Sequence, residues 1–491
     1  MILAIALLIL ALLWWLTRLP ARPRLEPQST LCPETPAGST VAPLAESIDA
    51  FAARIALCRA ARTEICAQYY MWRGDTSGTL LYEAMHEAAE RGVRVRLLID
   101  DNATTGLDAR LAWLDGHPNI SVRLFNPSAL RRPRGLSYLL HPARLNRRMH
   151  NKALIVDGAQ AVLGGRNIGD EYYNDMSDIG LFMDMDVLVA GEAAGAAQEA
   201  FDRYWNAEPA WPLAALVPAA AAGGAEHAAA VAKAGASEFA AEVQRTLEEF
   251  PTLDALFPPH RAEVRLLFDP PEKVLGRARR RRLMYPSLRM ALGNPQHDYD
   301  LISPYFVPRL RDRRYLRGLA RAGVRVRVLT NALAASDTPI VHAGYGWKRR
   351  GLLKAGIELY EYQGESRLRL RQGIVGSRIR RGTAPFARNK LHAKIFSVDR
   401  TRVFIGTFNF DPRSLFLNTE MGVVIDDADF ARSLHRAFAE TVPHCAWQVS
   451  LGPRGLVWRR PGHEMHHEPG ARWWQRALIA LASVLPIEGL L

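Results

Sequence analysis

Along most of the chain, apolar positions recur first at helical spacing and then in strict alternation. Residues 80–89 carry apolar side chains at three- and four-residue intervals, Gly92 stops the run, and residues 93–99 read VRVRLLI. That order predicts a helix, a glycine cap and a strand. It recurs downstream, where a periodic segment over 315–322 is followed by Gly323 and VRVRVL at 324–329. A chain that repeats its helix–strand units reads as two α/β halves with parallel or mixed sheets flanked by helices, and similar halves commonly pair about a pseudo-twofold axis.

A second repeat is closer still. Residues 149–167 read MHNKALIVDGAQAVLGGRN and residues 391–409 read LHAKIFSVDRTRVFIGTFN. His150, Lys152, Asp157, Gly164 and Asn167 therefore share their offsets with His392, Lys394, Asp399, Gly406 and Asn409. A single H-x-K is noise, but five matched polar or glycine offsets found twice are not. In each copy an apolar strand leads to a turn at Asp157-Gly158 or Asp399-Arg400, and a returning strand carries the glycine and asparagine back. Further on, Asp184 and Glu420 each stand before a new apolar strand.

The residue types suit a phosphodiester. On a strand, positions i and i+2 face the same way, so imidazole and ammonium converge on one small anion. With both halves together, one neutral imidazole attacks phosphorus to form a phosphohistidine while the other, protonated, donates to the leaving alkoxide. Lys152, Lys394, Asn167, Asn409 and Thr407 are expected to hold the phosphate oxygens. Asp184 and Glu420 are expected to orient the imidazoles. Asp157 and Asp399 join the catalytic candidates by their repeat, although each also occupies a turn. Neither a metal nor another cofactor is required, and the four cysteines (Cys32, Cys58, Cys66, Cys445) lack ligand or disulfide spacing and read as free thiols.

Composition changes the picture in two ways. Lys and Arg number 63 against 50 Asp and Glu, a net +13, which favours an anionic partner, lipid or nucleic acid. Residues 1–16 carry no charged side chain, end in Trp14-Trp15-Leu16, and precede Arg18, Arg22 and Arg24. That pattern predicts an uncleaved membrane anchor over 1–20 rather than a secretory signal, whose basic residues come first. Arginine-rich stretches before each motif (Arg131, Arg132, Arg134, Arg144, Arg147, Arg148; Arg367, Arg369, Arg371, Arg378, Arg380, Arg381) and at 277–282 interleave with Leu, Ile and Tyr. Such interleaving suits an anionic phospholipid membrane more than base stacking, so a membrane-facing basic rim is expected and nucleic acid is not. An Ala/Pro/Gly-rich stretch over 211–250 reads as a linker ending in a helix near 238–250, between a first domain at 21–210 and a second at 251–491. The apolar segment from 473 to the end fits a helix docked on the core or lying at an interface.

The doubled pattern H-x-K-x4-D-x6-G-[ST]-x-N resembles the phospholipase D superfamily. The flanks Asn167-Ile-Gly-Asp-Glu-Tyr-Tyr, Asp411-Pro-Arg-Ser, Asn418-Thr-Glu420 and Val341-His-Ala-Gly-Tyr-Gly-Trp are similar to its bacterial cardiolipin synthase branch. The resemblance implies two phospholipase D-type domains and transfer of a phosphatidyl group from one phospholipid to phosphatidylglycerol at a bacterial inner membrane. It also implies attack by His150 and protonation by His392. Transfer to water, or a nucleic-acid phosphodiesterase built on the same motifs, are the competing expectations. Gly165 departs from the pattern, where a hydroxyl residue is usual.

Overall fold

The computed structural model describes residues 37–483 apart from 129, 132, 175–180, 219–222, 251, 257, 337 and 365–388. The anchor expected over 1–20, Cys32, and the arginines at 132 and 367–381 lie outside the described residues. Among the described residues, no helix is long and apolar enough to cross a membrane.

The first half contributes strands β1 (Ala37–Leu44), β2 (Glu64–Met71), β3 (Arg94–Ala103), β4 (Ile120–Phe125), β5 (Lys152–Val156), β6 (Gln160–Gly164), β7 (Phe182–Met183), β8 (Asp186–Gly191) and β9 (Ala210–Pro212). The second contributes β10 (His260–Phe268), β11 (Asp298–Ile302), β12 (Arg325–Asn331), β13 (Glu358–Tyr362), β14 (Lys390–Leu391), β15 (Ile395–Val398), β16 (Arg402–Gly406), β17 (Met421–Asp426), β18 (Ala446–Gly452), β19 (Gly455–Arg460) and β20 (His463–Met465). β2, β3 and β4 run parallel, and the hairpin β5–β6 followed by β8 adds antiparallel strands. The same plan recurs in β11, β12, β13 and then β15, β16, β17. β1 pairs with β8, its counterpart β10 pairs with β17, and β1 and β10 pair antiparallel with each other. Two mixed sheets thus become one 18-stranded sheet through a single strand pair at the pseudo-dyad.

Helices cover this sheet because each presents one apolar stripe. In Glu192–Trp205 the buried set includes Ala193, Ala197, Ala200, Phe201 and Tyr204, and in Ala428–Glu440 it includes Phe430, Ala431, Leu434, Ala437 and Phe438. Both sets enter a core that also holds Leu163 and Val187 of the first half and Val264, Ile405 and Ile425 of the second. Two further cores belong to one half each. Truncating a residue as large as Phe438 in such a core typically costs about 3–5 kcal/mol.

The alanine-rich stretch contains the helix expected near 238–250, and part of the linker expected before it is helical too. Gly223–Gly235 and Glu238–Glu249 form two helices that pack onto the first half, Gly224 against the Trp113 indole and Phe239 against Phe51. Alanine is the best helix former, so composition alone does not separate a linker from a small-residue helix. Of the arginines expected to form a basic rim, Arg277 and Arg279 to Arg282 are exposed, whereas four of those before the first motif turn inward. Arg131 and Arg134 pair with Asp101 and Asp108, Arg148 pairs with buried Asp100 at 2.9 Å, and Arg144 bonds Asn126. The acidic partners lie on other elements, beyond the reach of a local reading.

Asp157 and Asp399 require a correction as catalytic candidates. Both adopt left-handed backbone (φ 54° and 50°) at the tips of the β5–β6 and β15–β16 hairpins. They stand at the opposite end of five- and four-residue strands from the motif histidines. Asp157 accepts the backbone N–H groups of Arg62, Thr63 and Glu64 at 3.0, 2.8 and 2.9 Å, and Asp399 those of Gln296, His297 and Asp298 at 2.9, 2.7 and 3.0 Å. Each carboxylate ties its hairpin to the start of the neighbouring strand, β2 or β11. Burial alone would push the Asp157 carboxyl up, but these amide bonds outweigh it and hold the carboxyl low.

Asp157→Ala is expected to lower Tm by about 2–4 °C. Because the native carboxyl is depressed, its contribution is present above the unfolded carboxyl pKa near ~3.9 and disappears as pH falls through the lower folded value. Native and variant melting curves should therefore converge at low pH, with phosphodiester turnover at 25 °C retained. Lost turnover at an unchanged Tm would return Asp157 to the catalytic set.

Candidate active site

The two motifs meet through their backbones before they meet through their side chains. Met149 forms a β-bridge with Thr419, His150 N–H donates to Thr419 O at 2.9 Å, and Thr419 N–H donates to Arg148 O at 2.9 Å. In the other copy β14 pairs with β7, placing Leu391 beside Met183, and His392 N–H donates to Met183 O at 2.8 Å. In both places the residue before the motif histidine lies beside the residue before the other half's carboxylate. The next residues, His150 with Glu420 and His392 with Asp184, then meet.

The carboxylates are consequently crossed. His150 Nδ1 bonds Glu420 Oε2 at 2.8 Å, and His392 Nδ1 bonds Asp184 Oδ2 at 2.5 Å. A carboxylate on Nδ1 fixes that nitrogen as the donor and leaves Nε2 of each ring for chemistry. Lys394 Nζ also approaches His392 Nδ1 at 2.7 Å. An ammonium and an N–H cannot both donate into that contact, so the Nδ1 proton belongs with Asp184, the nearer and anionic partner. Lys152 and Lys394 donate to the carbonyl oxygens of His150 and His392, which holds both ammoniums beside the rings. Aromatic rings close the sides, Tyr70 edge-on to His150 at 5.3 Å and Tyr172 and Phe182 against His392 at 5.3 and 5.1 Å. Tyr70 and Phe182 carry no local signal in the sequence, and Tyr172 stood there only as part of a motif flank.

The two carboxylates are held differently. Glu420 Oε2 accepts from Thr407 Oγ1 at 2.5 Å and Oε1 from Ser414 Oγ at 2.7 Å. Ser414 lies on the short helix Pro412–Phe416, which Asp411 caps by accepting Ser414 N–H at 2.7 Å. The Thr407 hydroxyl therefore serves Glu420, which corrects its expected place on phosphate. In the first half the equivalent Gly165 has no hydroxyl because the Asp184 carboxylate occupies that space, and a Cβ on Gly165 would collide with Asp184 Oδ1. The departure from the family pattern goes with the shorter acid.

Asn167 and Asn409 also differ. The Asn167 amide accepts Met71 N–H at 3.2 Å and donates to Tyr172 Oη at 2.7 Å, which leaves one N–H for a ligand. The buried Asn409 Oδ1 has no hydrogen-bond partner among the described residues.

All six principal side chains are buried, so desolvation dominates their titration. Burial, reinforced by Lys152, Lys394 and His392, puts His150 well below its usual pKa. His392 is lowered by burial and Lys394, with Asp184 opposing the shift. Burial and Lys394 bring Lys152 down to about 7, and burial brings Glu420 up to about 7. Asp184, despite its burial, is held below the ordinary range by Lys394 and His392. Cys58, Cys66 and Cys445 are buried free thiols pushed up to about 12 by desolvation, so they supply no nucleophile. The described residues also bring His86, Glu90 and His117 within ligand reach of one another. There Asn119 N–H donates to His117 Nδ1, which leaves the proton on Nε2, facing Glu90.

Two imidazoles, each with a carboxylate on Nδ1, and two lysines beside them suit nucleophilic displacement at phosphorus. A family model described as "Cardiolipin synthase, PLD-like domain" matches residues 54–205 and 288–442. "Cardiolipin synthase C" of Escherichia coli K12 is 41% identical over 94% of this chain and 98% of its own. "Cardiolipin synthase" of Geobacillus kaustophilus is 27% identical over 83% of this chain and 67% of its own. Among solved structures, the phosphatidylserine synthase of Haemophilus influenzae Rd KW20 shares the fold, with a TM-score of 0.52 at 14% identity over 82% of this chain and 86% of that one. With more than half of its residues inside the family model, both motif-bearing halves included, the chain belongs to the cardiolipin synthase, PLD-like domain family.

Proposed function

We propose that the protein is a phosphatidyltransferase that makes cardiolipin, moving a phosphatidyl group from one phospholipid through a phosphohistidine onto a hydroxyl of phosphatidylglycerol. The crossed His–carboxylate pairs carry this reading, because they leave two Nε2 atoms and two ammoniums at one buried place. His150 is the nucleophile: it is the more depressed imidazole, and its partner Glu420 is the weaker anion. His392 is the acid, because the firmly ionised Asp184 stabilises its imidazolium.

In the first step His150 Nε2 bonds to phosphorus, the bond to the headgroup oxygen breaks, and His392 Nε2–H protonates the departing alkoxide. In the second, neutral His392 takes the proton of the incoming hydroxyl, that oxygen bonds to phosphorus, and the P–N bond to His150 breaks. Lys152 and Lys394, with the remaining N–H of Asn167, stabilise the charge on the non-bridging oxygens. The unpaired Asn409 Oδ1 is suited to a hydroxyl donor, such as the acceptor alcohol, rather than to a phosphate oxygen. Enclosure by Tyr70, Tyr172 and Phe182 favours a lipid alcohol over water at the second step. The reading places the apolar segment 1–20 as a bacterial inner-membrane anchor. It keeps 21–210 and 251–491 as the two phospholipase D-type domains, with the helices of 211–250 packed on the first.

Expressed in cells lacking cardiolipin, the native protein is expected to restore it, and His150→Ala and His392→Ala to leave it absent. Each positioned acid or base is worth about 10²–10⁴ in rate. Cardiolipin made by both variants would reject the site, and phosphatidic acid as sole product would make the enzyme a hydrolase.

The pH profile carries a second expectation. His150 must be neutral to attack, so the acid limb of kcat/KM should lie below about pH 6.5. The alkaline limb belongs to the coupled His392–Lys152 cluster and has no single owner. Lys152→Met removes a cation that depresses His150, so besides a loss of about 10² or more in kcat/KM, the acid limb should move to higher pH. An unmoved or lowered limb contradicts the assignment of His150.

A further inference from the structure

Among the described residues, ten large hydrophobic side chains are strongly exposed, and six of them lie on or beside two helices. Ile340 belongs to helix Pro339–Gly346 and Trp347 caps its end, while Trp473, Trp474, Leu478 and Leu481 belong to helix Trp473–Ser483, which packs against the first. At about 100° per residue, Trp473, Ala477, Leu481, Trp474 and Leu478 fall within one arc of about 140°. All five are exposed, Trp473 by 75% and Leu481 by 64%. The other side of the helix buries Ile479 against Leu333 and Ala343. This is the reverse of a surface helix in water: the apolar stripe faces outward and no described residue covers it.

The chemistry of the stripe identifies what covers it. Tryptophan prefers the boundary between headgroup and hydrocarbon, where its ring is buried and its N–H is wet. The helix contains no Asp or Glu, and Arg472 and Arg476 stand at its N-terminal end. An apolar face bordered by guanidinium groups complements an anionic lipid surface. The position is also suitable. Helix Pro339–Gly346 follows β12, whose last residue, Asn331, donates to Leu391 O at 2.8 Å and accepts Leu391 N–H at 3.1 Å. Leu391 directly precedes His392.

We propose that the outward face of helix Trp473–Ser483, with Ile340 and Trp347, is a docking surface that lies in the interfacial layer of an anionic bilayer. It holds the strand end that carries His392 at the level of the lipid headgroups. This contact is additional to any segment that crosses the membrane, and only its effect on turnover rests on the phosphatidyl-transfer reading.

The test uses the full chain reconstituted in vesicles of phosphatidylglycerol and phosphatidylcholine. Leu478→Cys carries an environment-sensitive fluorophore, with Cys32→Ser, since Cys58, Cys66 and Cys445 are buried. Emission should shift to the blue on reconstitution, more so with phosphatidylglycerol than with phosphatidylcholine alone, and brominated acyl chains should quench it. Water-like emission in vesicles overturns the proposal. So does a blue shift in detergent that grows with protein concentration, because a second copy then covers the face. In the activity arm, Leu478→Asp with Leu481→Asp should reduce turnover of vesicle-borne phospholipid about tenfold or more, since burying a charge in place of an apolar side chain opposes interfacial binding. Turnover of short-chain phospholipid dissolved as monomers should stay within about twofold of native. Equal losses on both substrates overturn docking as the cause. If the native protein transfers no phosphatidyl group in either format, the catalytic reading fails while the fluorophore still reports on docking.

Discussion

Burying two imidazoles and two ammoniums together is the constraint on which the rest of this structure depends. Each charge withdrawn from water loses several kcal/mol of hydration, and like charges at close range add to the cost. Glu420 and Asp184 offset it, and each is supplied to the histidine of the opposite half. The crossing makes the site a property of the paired halves. Either half alone would keep a histidine and a lysine while losing the carboxylate that orients the ring. The β1–β10 pair and the bridges at Met149–Thr419 and Leu391–Met183 are the backbone means of holding that pairing.

Near-symmetry in the backbone coexists with asymmetry in the chemistry. Two hydroxyls, of Thr407 and Ser414, hold a longer acid whose pKa burial raises. Across the dyad a glycine makes room for a shorter acid that stays ionised between Lys394 and His392. A symmetric pair of histidines would have no reason to divide the work of attack and protonation. Unequal anions stand behind them, and the proposed division gives attack to the ring paired with the weaker anion and protonation to the ring paired with the stronger. In the proposed reaction the requirement reverses after the first step, where His392, then neutral, would take the proton of the incoming hydroxyl.

The surplus of positive charge is distributed less simply than its total suggests. Arg131, Arg134 and Arg148 neutralise buried or half-buried aspartates and position the segment that leads into the first motif. Charge used inside the fold is not available to a membrane, so net charge overstates the attraction of the surface for lipid. Exposed apolar side chains are the better guide, because a folded chain in water rarely leaves two tryptophans and two leucines on one outward stripe.

Sequence by itself determined whatever is local or repeated: the helix–glycine–strand units, the hairpins after His150 and His392, the duplicated polar offsets, and the types of residue a phosphodiester requires. A period of 2 or 3.6 and a glycine at a fixed offset are properties of neighbouring residues, and duplication lifts them above chance. The candidate set was therefore largely legible. The partnership within it was not, because Glu420 and His150 are 270 residues apart and no spacing rule connects them. For the same reason Asp157 and Asp399, although read as turn residues, stayed among the catalytic candidates, and strands of five and four residues carry them to the far end of the sheet. Thr407 read as a phosphate ligand until the acid beside it was located. Composition made a linker of residues 223–235, which pack as a helix, and gave a basic rim Arg131, Arg134, Arg144 and Arg148, which point inward, while Arg279 to Arg282 stay exposed. Tertiary structure decided these points, since which carboxylate meets which cation depends on how the two halves close on each other.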